Sequence, residues 1–342
     1  MRPLNVLLTA AGVPGAAALV RALRENGERE VRIVGTDMSP LAIGRRLCDS
    51  FHVVPSGTDP EYADALLRIC AQEGVDAVVP QSSIELPALA AARGRFDATV
   101  LVASLDAVRR SNDKAETYAM LDRLGVRGPA WRRARGRREV EAAAHELGYP
   151  EVDVAVKPLE SSGSRGFRVL SRSADALEQL VASRPGDAPV VRLEDLVSVL
   201  PAEGGPVLLV MELLRGQERT VDGIARGGRI VLGHAKTREA VRAGLAMYFE
   251  TVQAPEALDA AAAVVRELEL DHFFNVQFLG GGVVEVNARI STVVYQENLN
   301  VPYLGLKLAL GELDDEEVAA HAARVRPTRR ALRYFDQVEW DE

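Results

Sequence analysis

The stretch 275–289 contains residues that could hold a metal ion and an anion: Asn275, Gln277, Glu285, Asn287 and Arg289, set around Gly280-Gly281-Gly282. If the three glycines form a hairpin turn, the strands are related about position 281, so Gln277 lies opposite Glu285 and Asn275 opposite Asn287. The side-chain period of two then puts these four residues and Arg289 on one face, with Val284, Val286 and Ala288 on the other. Mg²⁺ takes octahedral oxygen coordination that nucleotide phosphates can complete, and arginine suits the remaining anionic charge. An ordinary hairpin with one wet face has the same pattern, and a one-residue change in turn length would carry Gln277 to the opposite face.

Two upstream lysines fit the same chemistry. Asp113-x-x-Glu116 is a capping signal that opens a helix running through Leu124 and stopping at Gly125. Lys114 sits in its first turn, where positive charge opposes the helix dipole, so the position calls for a reason beyond local stability or for solvent exposure. Lys157 ends the apolar run 152–156. The loop that follows contains Ser161, Ser162, Gly163 and Ser164. Such a loop can aim backbone N–H groups at phosphate oxygens, although a flexible hairpin has a similar composition.

The elements that must position these residues begin with an alternating series. Apolar runs at 5–9 and 31–36 flank a helix ending at Gly27, the spacing of a βαβ unit. Helices at 61–73 and 85–92 and strands at 77–80 and 100–103 extend it into an open parallel α/β domain ending near Leu105. Gly12-Val13-Pro14-Gly15 and Asp37 form only part of a dinucleotide fingerprint, since the full G-x-G-x-x-G is missing, and a strand-end turn is the favoured reading. A helix around 138–147 precedes the β-rich region. Strands are expected at 207–211, 218–224 and 229–234, then a helix at 255–268 and the hairpin. The segment 183–205 reads as a connection between subdomains.

The 342 residues carry 49 acidic and 41 basic side chains, a net charge of −8, and 47% hydrophobic residues. This describes a soluble globular chain of two or three compact units and argues against a nucleic-acid partner, which calls for a basic stripe. The N-terminal apolar run is interrupted by Asn5, Thr9 and Pro14, which opposes a secretory signal. No other stretch approaches the roughly 20 apolar residues that cross a membrane. Cys48 and Cys70 have no ligand-like spacing and fit idle thiols in a reducing cytoplasm.

Taken in order, Lys114, Lys157 with its Ser/Gly loop, the phrase Met211-Glu212-Leu213-Leu214-Arg215-Gly216-Gln217-Glu218, and Gln277, Glu285, Asn287 and Arg289 resemble the ATP-grasp superfamily, nearest its carbamoyl-phosphate-synthase-like branch. Ser111-Asn112-Asp113-Lys114, Pro80-Gln81-Ser82-Ser83-Ile84-Glu85-Leu86 and Asn300-Val301-Pro302-Tyr303-Leu304 are further matching phrases. The resemblance implies an α/β pre-ATP-grasp domain at 1–105, an α+β subdomain at 106–206, a second at 207–325 and a tail at 326–342.

It also implies a set of roles. ATP would lie between the subdomains, with adenine against the backbone of Leu213 and Leu214, Glu212 at the hinge and Glu218 on the ribose hydroxyls. Lys114, Lys157 and the Ser161–Ser164 loop would contact phosphates. Glu285 and Asn287 would hold Mg²⁺, or Mn²⁺ in its place, with Gln277 standing where many relatives carry an acid. Arg289 would steady the transferring phosphoryl group, and Lys157 would share that work. Arg238 and Arg242 would bind the substrate carboxylate or phosphate together with Arg289, the alternative for that pair being a solvated helix face. Tyr295, Gln296 and Asn298 are weaker candidates for substrate contact.

The chemistry implied is activation of a small-molecule carboxylate as an acyl phosphate, with ADP release, followed by attack of an amine to give an amide or dipeptide-like bond. The protein supplies mainly alignment and charge neutralisation. That suits a chain without a convincing Ser/His/Asp or Cys/His arrangement, and His234 and His272 read as structural. Carbamate or carboxyphosphate chemistry and a non-catalytic nucleotide-binding subunit are the alternatives. Related enzymes are often dimers.

Overall fold

The computed structural model describes residues 1–159, 166–182, 187–242, 245–290, 299–334 and 336–340, with side chains except at 176, 241, 242 and 245. The first unit is a parallel sheet of β1 (Leu4–Leu8), β2 (Val31–Asp37), β3 (Ser50–Val53), β4 (Ala77–Val79) and β5 (Thr99–Val100) in the order β3-β2-β1-β4-β5. Helices α1 (Ala16–Arg24), α2 (Gly44–Leu47), α3 (Tyr62–Glu73) and α4 (Leu86–Ala92) connect it. Leu4, Val6, Leu7 and Leu8 are all buried, the continuous apolar run of a strand covered on both faces. The Asp37 carboxylate accepts from the Gly12 N–H (2.8 Å) and the Ser39 N–H (2.8 Å). A Cβ on Gly12 would fall 2.9 Å from that carboxylate. The glycine and aspartate of the partial fingerprint therefore serve each other.

Helices α5 (Leu105–Asn112) and α6 (Lys114–Leu124) lead into the second unit. Asp113 caps α6 by accepting from the N–H groups of Ala115 (2.8 Å) and Glu116 (3.1 Å), and Gly125 stops it in the left-handed conformation (φ 64°). The second sheet has the order β6-β10-β7-β8-β9, from β6 (Trp131–Arg135), β7 (Val154–Pro158), β8 (Arg168–Leu170), β9 (Val190–Val191) and β10 (Val207–Glu212). Helices α7 (Gly136–Glu146), α8 (Ala176–Ala182) and α9 (Leu193–Ser198) accompany it. Because β10 pairs with β6 and β7, the crossing to the third sheet is 213–217 rather than at 206.

The third sheet has the order β13-β14-β12-β11-β15-β16, all antiparallel, with β17 on β14. Its strands are β11 (Glu218–Arg226), β12 (Arg229–Thr237), β13 (Glu239–Arg242), β14 (Leu245–Val252), β15 (His272–Leu279), β16 (Gly282–Asn287) and β17 (Arg330–Leu332). Residues 239–242 thus pair along β14, which corrects the helix-face alternative for Arg242. Strand β17 also joins Arg330–Leu332, within the expected tail 326–342, to this sheet. Helix α10 (Pro255–Glu267) covers one face through Val264 and Val265, in a core shared with Phe274, Val276 and Val286. Helix α11 (Val301–Ala309), followed by α12 (Asp315–Ala320), packs Tyr303, Leu304 and Leu306 into a core with Leu4, Val6, Leu19 and Leu23. Ile224, Leu232 and Phe273 of the third sheet join the same core, so the first domain packs against that sheet. No helix among the described residues is long and apolar enough to cross a membrane.

Candidate functional site

The hairpin carries the expected pairs for an unexpected reason. Gly280 (φ 55°) and Gly281 (φ 84°) form a two-residue turn, which pairs Leu279 with Gly282 and Phe278 with Val283. That register alone would put Gln277 opposite Val284. A β-bulge then inserts one residue into β16, so Gln277 meets Glu285 and Asn275 meets Asn287. Val284 is the inserted residue, and its carbonyl accepts from the Tyr118 hydroxyl at 3.1 Å.

Neighbouring strands extend this face. Thr220 is paired with Gln277 and Asp222 with Asn275 on one side, while on the other Thr220 lies opposite Lys236 and Asp222 opposite His234. A polar network runs across the row. Lys236 Nζ is 2.6 Å from Asp222 Oδ2, and Asp222 Oδ1 accepts from Asn275 Nδ2 at 2.8 Å. Asn275 Oδ1 accepts from Gln277 Nε2 (3.1 Å) and Asn287 Nδ2 (3.2 Å). Asn287 Oδ1 in turn accepts from Arg289 at 3.2 Å. Asn275, Asp222, Lys236 and Asn287 are all buried, so the network fixes which way Gln277 and Asn287 present their oxygens.

Lys157, on β7, faces this sheet from the second unit. Its ammonium donates to the Tyr118 hydroxyl at 3.0 Å. Burial, reinforced by the charge of Lys114 and opposed by Glu285, lowers its pKa to about 8. The charges of Lys114 and Glu285 thus both act on Lys157. Burial also raises Tyr118 well above the usual phenol range, with Glu285 adding to it.

At the crossing 213–217, Glu212 ends β10. Its N–H donates to the Ala130 carbonyl (2.8 Å), and its carboxylate accepts from the Ala130 N–H (3.2 Å). Leu213 is half-buried and Leu214 buried. The Leu214 N–H turns back to the Glu212 carbonyl at 3.2 Å, so a purine edge would compete with it for that donor. Glu218, expected on ribose, and Arg238, expected on the acceptor, are paired with each other (Nε to Oε1, 2.9 Å). Burial raises the Glu218 pKa, with Glu285 adding to the rise and Arg238 opposing it.

Arg289 is strongly desolvated, with Glu285, Glu85 and Asp222 favouring its charge. It donates to Ser83 Oγ (3.0 Å), Asn287 Oδ1 and the Ile290 carbonyl (2.9 Å). Burial holds His234 and His272 down at about 4. Ser161, Ser162, Gly163, Ser164, Tyr295, Gln296 and Asn298 lie outside the described residues, and of Arg242 only the backbone is described.

The donor set Glu285, Gln277 and Asn287 is all oxygen, which fits a hard cation, but it carries a single negative charge. Phosphate oxygens would have to supply the rest. Asn287 Oδ1 already accepts two hydrogen bonds, from Ser83 (3.1 Å) and Arg289, so Glu285 and Gln277 fit the cation better than Asn287 does.

Sequence reasoning passed over Tyr118, Thr220, Asp222 and Lys236 as site residues and used Ser83 only as part of a matching phrase. Tyr118 lies four residues beyond Lys114, one turn along the same helix face, and Thr220 and Asp222 continue the period of two from Glu218. Ser83 follows the carboxyl end of parallel strand β4, where open α/β sheets bind ligands.

Comparison with known proteins matches two parts of the chain. Residues 205–331 match the family described as ATP-grasp in the biosynthetic pathway with Ter operon, and residues 6–103 match the PylC-like N-terminal domain. The arginine-specific carbamoyl phosphate synthase large chain of Neurospora crassa mitochondria is 26% identical over 242 residues, which is 67% of this chain and 18% of that protein. The chain thus spans under a fifth of this relative's length. The biotin carboxylase of Campylobacter jejuni, solved as a beta-gamma-ATP complex, superposes with a TM-score of 0.64 at 15% identity, covering 92% of this chain and 72% of that one. The L-amino acid ligase of Bacillus licheniformis also gives 0.64 at 15% identity, covering 96% and 79%.

Proposed function

We propose that this chain, whose residues 205–331 match an ATP-grasp family and whose residues 6–103 match a PylC-like N-terminal domain, is an ADP-forming ligase that joins a small-molecule carboxylate to an amine through an acyl phosphate. What supports this reading is that Lys157 donates to the Tyr118 hydroxyl, which donates in turn to Val284 of the hairpin that carries Glu285, beside the crossing 213–217 between the two sheets. Adenine would lie along that crossing near Glu212, Leu213 and Leu214, with the ribose near Glu218. Lys114, Lys157 and the segment containing Ser161, Ser162, Gly163 and Ser164 would take the phosphates. A bound Mg²⁺, or Mn²⁺ in its place, would neutralise phosphate charge, with Glu285 and Gln277 as its first ligands and Asn287 joining them.

The substrate carboxylate, held by Arg238, Arg242 and Arg289, would attack the γ-phosphorus as the bond to ADP breaks. Arg289 and Lys157 would steady the charge on the transferring group. The amine would then attack the acyl carbon, lose a proton and release phosphate, leaving an amide. The reading includes a homodimer and a cytoplasmic location.

Bicarbonate as the carboxylate is a second reading, favoured by the sequence similarity to a carbamoyl phosphate synthase large chain. One screen separates the two. ADP and phosphate release is measured with amino acids, small carboxylates and bicarbonate, each with and without an amine. The ligase reading requires ADP release that depends on both an organic carboxylate and a nucleophile. Release of AMP and pyrophosphate, or of ADP with bicarbonate alone, overturns it.

A further inference from the structure

Ser83 ties the first domain to the proposed phosphate end of the site. Its hydroxyl donates to Asn287 Oδ1 at 3.1 Å and accepts from Arg289 Nε at 3.0 Å, contacts that span 204 and 206 residues of sequence. Arg289 commits three of its five N–H groups to protein acceptors, one each to Ser83, Asn287 and the Ile290 carbonyl. Of those acceptors, only Ser83 comes from another domain.

The loop behind it is held firmly. Glu85, 4% exposed, accepts from the Thr9 and Tyr62 hydroxyls and from the N–H groups of Gln81 (3.1 Å) and Ser82 (2.9 Å). Gln81 Nε2 donates to the Thr9 carbonyl (2.9 Å), and Asn112 Nδ2 donates to the Ser83 carbonyl (3.1 Å). Burying a carboxylate is costly unless its oxygens are satisfied, and here four donors satisfy it. Those bonds leave the Ser83 hydroxyl as the loop's contact with Asn287 and Arg289. We propose that Ser83 is a positioning residue that orients the Arg289 guanidinium and the Asn287 amide toward the terminal phosphate of a bound nucleotide.

The proposal takes from the ligase reading only that a nucleotide binds with its terminal phosphate at Arg289. Its test is therefore a binding measurement that needs no ligase substrate. Calorimetry with Mg²⁺ compares AMP-PNP with ADP, so that the affinity ratio reports the terminal phosphate, for the wild type, S83A, S83T, R289K and S83A/R289K. Melting curves check the fold. Loss of a residue that orients a ligand-binding group typically costs on the order of 10- to 100-fold, and S83A should lower the ratio by that order while the ADP affinity stays within about twofold. S83T, which keeps the hydroxyl, should restore most of the loss. In the R289K background S83A should cost much less, because both changes remove the same contact.

The proposal is overturned by an unchanged ratio in S83A, by equal losses in both backgrounds, by failure of S83T to recover, or by a wild type that does not prefer AMP-PNP. Absence of ADP release from every carboxylate and amine pair would defeat the ligase reading while leaving this result standing.

Discussion

The ammonium of Lys157 donates to the Tyr118 hydroxyl at 3.0 Å, and that hydroxyl donates onward to the carbonyl of the bulge residue Val284 at 3.1 Å. One relay thus links a strand of the second sheet, a capped helix and the hairpin that carries Glu285. The lysine is poised near neutrality, because burial and the charge of Lys114 hold it at about 8. Below that value it carries the positive charge that the proposed phosphate contact needs. Affinity for MgADP should therefore be full at pH 7 and fall as pH rises past 8, with the bound phosphates themselves favouring the charged form. Lys157→Arg keeps its charge throughout and should flatten the profile between pH 7 and 9 in titration calorimetry.

Gln277 lies opposite Glu285, and one carboxylate is a sparse charge set for a divalent cation. Gln277→Glu should tighten Mg²⁺ binding. It also removes the amide that donates to Asn275 Oδ1, at a stability cost of about 1 kcal/mol. The expected result is a lower melting temperature without Mg²⁺ and recovery at saturating Mg²⁺, read by differential scanning calorimetry. Unchanged Mg²⁺ affinity would count against Gln277 as a ligand.

Asp222 and Lys236 form a buried pair beneath the same face. Asp222→Ala leaves the ammonium without its carboxylate and should cost roughly 3–5 kcal/mol, whereas adding Lys236→Met should recover much of it. The pH sign follows from proton counting. Burial already pushes Lys236 down, and the variant would fold with it neutral while the unfolded chain keeps it charged. The unfolded state then binds more protons, so the variant should gain stability between pH 7 and 9. Urea denaturation at both values reads the slope.

Gly280 is one point where the hairpin touches the crossing between the sheets. A Cβ there would fall 2.1 Å from the Arg215 carbonyl oxygen, and the residue already has φ 55°. Gly280→Ala should cost roughly 1–3 kcal/mol from the backbone conformation, more with the clash, and should weaken nucleotide binding along with stability. Gly281→Ala, which meets no atom within 4 Å, should show the conformational cost alone. Equal losses from the two would refute the contact as the cause.

Much of this was legible because it is local. The alternation of Gln277 with Asn275 and of Glu285 with Asn287, the cap at Asp113 and the alternating strands and helices of the first domain each rest on neighbours a few residues apart. The hairpin pairs were reached through a turn about position 281. The actual route is a tighter turn plus a bulge, two offsets that periodicity cannot separate.

The sequence by itself determined which residues share a face along one strand or helix, and the order in which a lysine, a crossing segment and an acidic hairpin follow each other. Only the tertiary structure decided what those faces meet. Tyr118 beneath Lys157, Asp222 against Lys236, Glu218 against Arg238, Ser83 on Arg289, and β10 as a strand of the second sheet all depend on elements that chain spacing does not bring together. A period of two or 3.6 constrains positions within an element. Contacts between elements are selected by the burial of shared cores and by satisfaction of buried polar groups, which belong to the fold as a whole.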